Sequence, residues 1–224
     1  PTETVYGLAA NAYSDKAVLK VYKLKKRPRK NPLIVHYYDI GSLKNDCHIN
    51  KNFLKLYKKF CPGPITFILS IKKRSLISKK IISKKNKLAV RFPKHPITRK
   101  LLKNVKFPLA APSANISTKL SPVTKQDVYE EFGEKIKYIL DGGRSNIGLE
   151  STIIDLTKKP KILRLGGLEV KNLNKILKLN LKYSNNIKLD FPGQNKLHYS
   201  PGIPINLNIK RPKKNSAYIL IRKK

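Results

Sequence analysis

The chain has 224 residues, 40% of them hydrophobic, which is enough to bury a sizeable core in one main domain. No apolar stretch approaches the roughly 20 residues that a membrane-spanning helix needs, so the sequence predicts neither a membrane span nor a membrane partner. The 2 Cys residues lack CxxC spacing, which argues against a structural zinc site or a disulfide framework. We therefore expect a cytoplasmic protein.

The net charge of +36 comes from 49 Lys and Arg residues against 13 Asp and Glu residues. Such a charge attracts polyanions such as tRNA, ATP or an anionic membrane surface. The Lys residues are spread along the whole chain, as a compositional bias would spread them, and diffuse charge attracts nucleic acid without sequence specificity. We favour the compositional explanation and expect only weak attraction to RNA.

The first half of the chain shows alternating helical and strand patterns. Ser14 caps a predicted helix, and a buried strand is predicted over 33–38. A second amphipathic helix is marked by apolar residues between 53 and 60, and it ends at a Pro-Gly-Pro breaker before a strand over 65–71. The Lys- and Ser-rich stretch 72–87 is expected to be a surface excursion.

The second half continues the alternation, which favours an α/β fold for residues 1–181. Strands are predicted over 88–92, around 108–112, and over 138–140, 151–155 and 161–165; helices are predicted around 126–132 and 170–181. Residues 182–215 are rich in Asn, Lys and Pro and are typical of a linker. Residues 216–224 contain one strand pattern, which we expect to begin a further, truncated domain.

The N-terminal residues lack the regions of a secretory signal and have no initiating Met, so we expect the natural start to lie upstream.

Polar clusters stand at the ends of the apolar strands, where α/β sheets usually bind ligands. They are PTETVYGL, KKRPRKNPLIVH, AVRFPKHP, AAPSANIS and GGRSNIGLESTIID. Arg27 and its basic neighbours suit a triphosphate, and Arg91 on a predicted strand suits an anion. Each cluster alone also has an ordinary explanation as a capped turn, a solvated helix end or a glycine turn.

Several familiar catalytic mechanisms lack their sequence signatures. There is no Walker GxxxxGK[ST] motif, no GxSxG elbow, no HExxH pair and no kinase signature. The candidate site is therefore rich in cations and hydroxyl groups and poor in nucleophiles and paired acids. That composition is typical of chemistry performed by positioning charged substrates.

Seven motifs in order give the chain a resemblance to the YrdC-like threonylcarbamoyl-AMP synthases over about residues 1–170. These are PTETVYGL, KKRPRKNPLIVH, PGPITFIL, AVRFPKHP, PLAAPSANIS, GLESTIID and ILRLGG. The segment FPGQNKLHYSP resembles the linker of the two-domain members, which folds over the active site as a lid. The resemblance implies a YrdC-like twisted mixed sheet with flanking helices around a cationic cavity.

The resemblance also implies an activity and its substrates. L-threonine, bicarbonate and ATP would give threonylcarbamoyl-AMP and pyrophosphate, with Mg²⁺ held mainly by the substrate phosphates. The product would pass to a transferase that forms N6-threonylcarbamoyladenosine in tRNA. Two alternatives are a carbamoyl-adenylate-forming domain of the hydrogenase-maturation type and a non-enzymatic module that binds double-stranded RNA or tRNA.

The resemblance assigns roles residue by residue. Positions matching the threonine site are Thr4, His36, Arg91, Ala111 and Ser151. Positions matching the ATP site are Arg27, Asn31, Lys87, Ser113, Ser121, Arg164 and, in the linker, Tyr199. Lys25 falls at the first basic position of a KxR pattern, and it is assigned to the catalytic group together with Arg27 and Arg91.

Overall fold

The computed structural model describes residues 1–83 and 86–183, which contain seven strands and six α-helices. The strands are β1 (Ala10–Asn11), β2 (Ile34–His36), β3 (Ile65–Ser70), β4 (Lys87–Arg91), β5 (Leu109–Ala110), β6 (Thr152–Asp155) and β7 (Lys161–Arg164). The helices are α1 (Asp15–Leu24), α2 (Ile40–Asp46), α3 (Lys51–Phe60), α4 (Pro96–Asn104), α5 (Lys125–Phe132) and α6 (Val170–Leu177). The predicted linker beyond residue 183 and the start of a further domain at 216–224 lie outside the described residues.

Side-chain caps mark the start of five of the six described helices, all except α6. The Ser14 hydroxyl accepts a hydrogen bond from the Ala17 amide at 3.3 Å, and the Asn50 side chain caps α3 in the same way. At α5, Thr124 and Asp127 form a reciprocal capping box. Because the first amides of a helix have no partner within the helix, these local contacts satisfy them and set the starting points.

The strands form one mixed sheet in the order β1-β5-β2-β4-β3-β6-β7. The pairs β2/β4 and β3/β6 are parallel, and the other neighbouring pairs are antiparallel. The predicted α/β class with a mixed sheet and flanking helices is therefore confirmed.

One face of the sheet is apolar and covered by helices. Alternate strand residues, including Val35, Phe67 and Val90, belong to one buried cluster with residues of α1, α3 and α6. Phe53 of α3 packs edge-on against Phe67, with ring centroids 4.9 Å apart. Each large side chain buried here stabilises the fold by about 1.5–3 kcal/mol, so this face supplies most of the stability.

The opposite face carries the polar residues of the same strands. Strand register sets a transverse row across five strands, which runs His36, Arg91, Thr66, Ile153 and Arg164. Since strand side chains alternate between faces, this row and the apolar core come from neighbouring positions in the sequence. A small apolar cluster adjoins the row; its members are Ile34, Ile68, Ala89, Ile153 and Leu163.

The predicted strand at 138–140 is wrong, because these residues have no regular secondary structure. Tyr138 and Leu140 are exposed, at 75% and 45%. A strand requires hydrogen bonds to a neighbour, and no strand of the described sheet pairs with this segment. The apolar pattern alone was therefore insufficient.

The stretch 72–87 is more than a surface excursion. Ile77 and Ile81 are buried in the main core, and the Ser78 hydroxyl donates to Asp15 at 2.5 Å. Because Lys residues are so abundant in this segment, its sequence pattern did not reveal that Ile77 and Ile81 are buried.

The last predicted helix ends at Leu177 and not at 181, because Lys178 adopts a left-handed conformation with φ 54°. The sequence did not predict β1, α2 or α4. No helix among residues 1–83 and 86–183 is long and apolar enough to cross a membrane.

Candidate active site

A cavity opens on the polar face of the sheet. Seven of the predicted site residues lie on its wall: Arg27, His36, Arg91, Ala111, Ser113, Ser151 and Arg164. They come from strand ends and from the loops that follow α1 and β5 or precede β6. Thr2, Tyr6 and Glu150 also lie on the wall, near the chain start and before β6. The structure therefore brings together clusters that are far apart in the sequence.

Arg91 is a buried guanidinium on this wall. One terminal nitrogen donates to Glu3 Oε1 at 2.7 Å, while the Lys94 amide donates to Glu3 Oε2 at 2.9 Å. Burial alone would raise the pKa of Glu3, but the charge and hydrogen bond of Arg91 and the Lys94 amide lower it below its usual value. The buried Nε of Arg91 has no hydrogen-bond partner, so the residue keeps a donor for a ligand.

His36 pairs with Arg91 in the parallel register of β2 and β4. Its ring is buried, and burial together with the nearby Arg91 charge lowers its pKa well below 6.5. The imidazole is therefore neutral at physiological pH and offers one donor and one acceptor nitrogen.

Arg27 is held in place by the turn that follows α1. Its Nε donates to the Asn31 carbonyl at 2.9 Å, and Nη2 donates to the Asn31 side chain at 2.7 Å and to the Pro32 carbonyl at 3.0 Å. Burial lowers its pKa to about 10, which leaves it charged at neutral pH. Asn31 does not line the cavity, so here it positions Arg27.

Arg164 and Ser151 form the other end of the row. Arg164 donates from Nε and Nη2 to the Ser151 carbonyl at 3.0 and 2.9 Å. The Ser151 hydroxyl lies 2.7 Å from the Thr66 hydroxyl. Burial lowers the pKa of Arg164 to about 10. The guanidinium therefore remains charged and rigid.

Glu150 is the acidic residue on the wall of the described cavity. Its Oε1 accepts a hydrogen bond from Ser121 at 2.6 Å, while its buried Oε2 has no partner. Ser121, which was predicted to bind ATP, is not among the residues that line this cavity, and its hydroxyl donates to Glu150. Within the described ranges, no group of three or more His, Cys, Asp or Glu side chains could hold a metal ion.

Lys25, which was predicted to face phosphates, is not among the residues that line this cavity. Its ammonium donates to the Ser113 carbonyl at 2.6 Å and to the Asn115 carbonyl. Burial lowers its pKa to about 7, and the Arg27 charge contributes in the same direction. A buried ammonium needs several oxygen partners, and these carbonyls supply them. In this arrangement Lys25 fixes the loop that carries Ser113.

Two other predicted residues, Lys87 and Thr4, are not among those that line the cavity. Lys87 is four residues along β4 from Arg91, about 13 Å, and pairs with Asp155 at 2.7 Å. The Thr4 hydroxyl lies 2.8 Å from that of Thr2, and Thr2 takes the wall position. Tyr199 lies outside the described residues.

Sequence reasoning missed Glu3 and Glu150. Both stand inside motifs that were singled out, PTETVYGL and GLESTIID, where attention went to the hydroxyl residues. The sequence does contain a signal for both residues. Each is an acid beside predicted hydroxyl ligands in a strongly basic chain. Acids placed among cations usually have a charge to balance.

The fold and cavity define a class of α/β protein in which fixed guanidinium groups line a cavity on the polar face of a mixed sheet. Among sequence families, the Sua5/YciO/YrdC model, described as "Telomere recombination", matches residues 1–166. The chain belongs to the Sua5/YciO/YrdC family.

Individual relatives are similar over most of this chain. A threonylcarbamoyl-AMP synthase of Pyrococcus abyssi is 44% identical over 179 residues, covering 79% of this chain and 52% of that protein. The synthase of Schizosaccharomyces pombe is 38% identical over 234 residues, covering 90% and 57%. The crystal structure of P. abyssi Sua5 complexed with L-threonine has a TM-score of 0.80 at 38% identity, covering 89% of this chain and 60% of that one. The chain thus spans little more than half the length of these relatives.

Proposed function

We propose that this chain carries the catalytic unit of a threonylcarbamoyl-AMP synthase, a nucleotidyltransferase acting in tRNA processing. Relatives with that name are 38–44% identical over most of the chain, and the similar P. abyssi structure contains L-threonine. The substrates would be L-threonine, bicarbonate and ATP. A cavity built from buried cations and small hydroxyl groups suits all three, because two are anions and threonine carries a carboxylate.

One observation carries the proposal. Arg91 lines the cavity together with Arg27 and Arg164, its guanidinium is held by Glu3, and its buried Nε has no hydrogen-bond partner. An unpaired buried donor is costly, so it is expected to have a ligand in the working protein. The carboxylate of threonine matches it in charge and shape.

The two ends of the cavity would bind different substrates. Arg91 and neutral His36 would hold threonine beside Ala111 and Ser151, while Arg27, Ser113 and Arg164 would hold the triphosphate. Arg27 and Arg164 are fixed by their own hydrogen bonds before any ligand arrives, so little reorganisation is needed when charge develops.

The chemistry proceeds in two steps. The threonine amine, after losing a proton, bonds to the carbon of bicarbonate as water leaves, which gives a carbamate. A carbamate oxygen then attacks the α-phosphorus, the bond to the bridging oxygen breaks, and pyrophosphate leaves with the electron pair. The protein contributes by holding the carbamate and the α-phosphorus close together and in line.

Magnesium remains part of the proposal as a companion of ATP. When bound, Mg²⁺ neutralises phosphate charge as the pyrophosphate leaves. The donor set fits a metal carried mainly by phosphate oxygens and water, because Glu150 is the acid on the described wall. The free Oε2 of Glu150 is the oxygen there that could join such a shell.

The partners of the protein and its compartment are also part of the proposal. The product would go to a transferase that modifies tRNA, and the diffuse positive charge would add weak attraction to RNA. The free thiols of Cys47 and Cys61 are compatible with the cytoplasm. A carbamoyl-adenylate-forming domain and a non-enzymatic RNA-binding module remain the alternatives, and dependence on threonine separates them from the synthase.

The test is pyrophosphate release from ATP with Mg²⁺ and bicarbonate, with and without L-threonine. We expect threonine to stimulate release in the wild-type protein and in Arg74→Ala, which removes an exposed arginine charge outside the cavity. Arg91→Ala should abolish the stimulation. Release that is independent of threonine in well-folded wild-type protein would refute the proposal.

A further inference from the structure

Hydrogen bonds and close packing hold Glu150 in place but leave one of its carboxylate oxygens without a partner. Its Oε1 accepts from the Ser121 hydroxyl at 2.6 Å, and its backbone carbonyl accepts from the Gly167 amide at 2.8 Å. Gly166 packs so closely that an added Cβ would lie 2.2 Å from the Glu150 carbonyl oxygen. Within the part of the chain that the structure describes, the other carboxylate oxygen, Oε2, is buried and has no hydrogen-bond partner.

A buried carboxylate oxygen without a partner is costly, so the working protein is expected to supply one. The nearby guanidinium groups are already engaged elsewhere. Arg27 donates to Asn31 and Pro32, and Arg164 donates to Ser151. Their charges lie near Glu150, since its negative charge acts to raise the pKa of both, but neither donates a hydrogen bond to Oε2.

The position of Glu150 favours a metal as the missing partner. The wall beside it carries the arginines assigned to the triphosphate, so the polyphosphate would approach a carboxylate of the same sign. Direct contact between the two would be repulsive unless a cation lay between them. Protein-bound Mg²⁺ is typically held by one or two carboxylates together with substrate phosphates.

We propose that Glu150 Oε2 is the protein's ligand for the magnesium ion that accompanies ATP, and that Ser121 is a positioning residue that acts through Glu150. This rests on the proposed function only in requiring that ATP bind in this cavity. It also gives Ser121 the role of orienting the metal ligand, a role that does not depend on contact with ATP.

The test compares binding of ATP with excess Mg²⁺ to binding of ATP with a chelator, by titration calorimetry. Glu150→Gln keeps the shape of the side chain but removes its charge. We expect the preference for MgATP over metal-free ATP to fall about tenfold, because one charge-assisted contact to the metal is lost. Metal-free ATP should bind at least as tightly as before, because a repulsive charge is gone. Ser121→Ala should reduce the preference in the same direction by a smaller factor.

The matched control is Glu3→Gln, which changes the other buried acid of the site. Glu3→Gln should weaken the binding of L-threonine, because Glu3 pairs with Arg91. It should leave the preference for MgATP over metal-free ATP unchanged. A second readout needs no turnover: Mn²⁺ in the ternary complex with ATP should show weaker binding in Glu150→Gln by electron paramagnetic resonance.

The outcomes separate the possibilities. The assignment is overturned if Glu150→Gln weakens the binding of MgATP and of metal-free ATP equally, or changes neither. It is also overturned if the variant weakens only the binding of L-threonine. Should Glu150→Gln fail to fold, Ser121→Ala decides, and an unchanged MgATP preference there counts against the proposal. Wild-type protein that binds neither form of ATP would instead refute the proposed function.

Discussion

The two faces of the sheet use the same strands for opposite purposes. On β4, Val90 points into the helix-covered core, while the next residue, Arg91, lies on the cavity wall. The core face gains stability from burial, whereas the cavity face buries charges at a cost and offsets it with specific partners. Stability and ligand binding should therefore respond to different substitutions, although the residues concerned are neighbours.

The largest effect on stability is expected on the core face. Phe67→Ala should lower the free energy of unfolding by about 3–5 kcal/mol, because it opens a cavity beneath Phe53. Urea denaturation measures this change. The affinity of the remaining folded protein for ligands should stay within about twofold of wild type. A loss of stability below about 1 kcal/mol would contradict the assignment of this face as the main core.

On the cavity face, Glu3→Gln should lower the free energy of unfolding by about 1.5–3 kcal/mol. The reason is that Arg91 loses its charged partner at 2.7 Å and remains buried. Denaturant titration against Glu134→Gln, an exposed acid, provides the control, which should change by no more than about 0.5 kcal/mol. Equal effects of the two substitutions would show that the buried pair has no special role.

The same pair predicts a pH dependence. The pKa of Glu3 is lowered in the folded state, so its stabilising contribution is present above the usual pKa of 4.5 and is lost as the pH falls through the folded-state value. The stability gap between wild type and Glu3→Gln should therefore shrink on acidification below about pH 4.5. Thermal unfolding of both proteins from pH 7 down to pH 3 measures the gap. A gap that widened in acid would contradict the sign of the shift.

The smallest effect is expected at the far end of β4. Lys87→Met should cost about 1 kcal/mol or less, because its partly buried pair with Asp155 is lost. ATP affinity, measured by calorimetry, should be unchanged, since Lys87 is not on the described cavity wall. A tenfold loss of ATP affinity would restore the ATP-binding role predicted from sequence.

The fold was largely predictable because its signals are local. Helix caps such as Ser14 and strand patterns such as 65–71 depend on neighbouring residues, so single segments reveal them. The strand predicted at 138–140 failed because a strand also needs a neighbour to pair with, and sequence pattern does not supply that information. The apolar anchors Ile77 and Ile81 were missed because abundant Lys masked the pattern.

The candidate site was predictable as a set of motifs but not as a geometry. Glu3 and Arg91 are 88 positions apart, and Lys25 and Asn115 are 90 positions apart. Such contacts depend on how the chain folds, so no local pattern distinguishes a residue on the wall from one that supports it. For the same reason, the hydrogen bonds that Lys25, Asn31 and Ser121 make to their neighbours were not predicted from the sequence.

The most direct test of the two-face account is calorimetric titration of L-threonine into wild type, Arg91→Ala and Phe67→Ala. We predict that Arg91→Ala weakens threonine binding by at least about tenfold, because a charge-assisted contact is lost, while folded Phe67→Ala binds like wild type. Unchanged affinity in Arg91→Ala, or equal weakening in both variants, would contradict the separation of ligand binding from core stability.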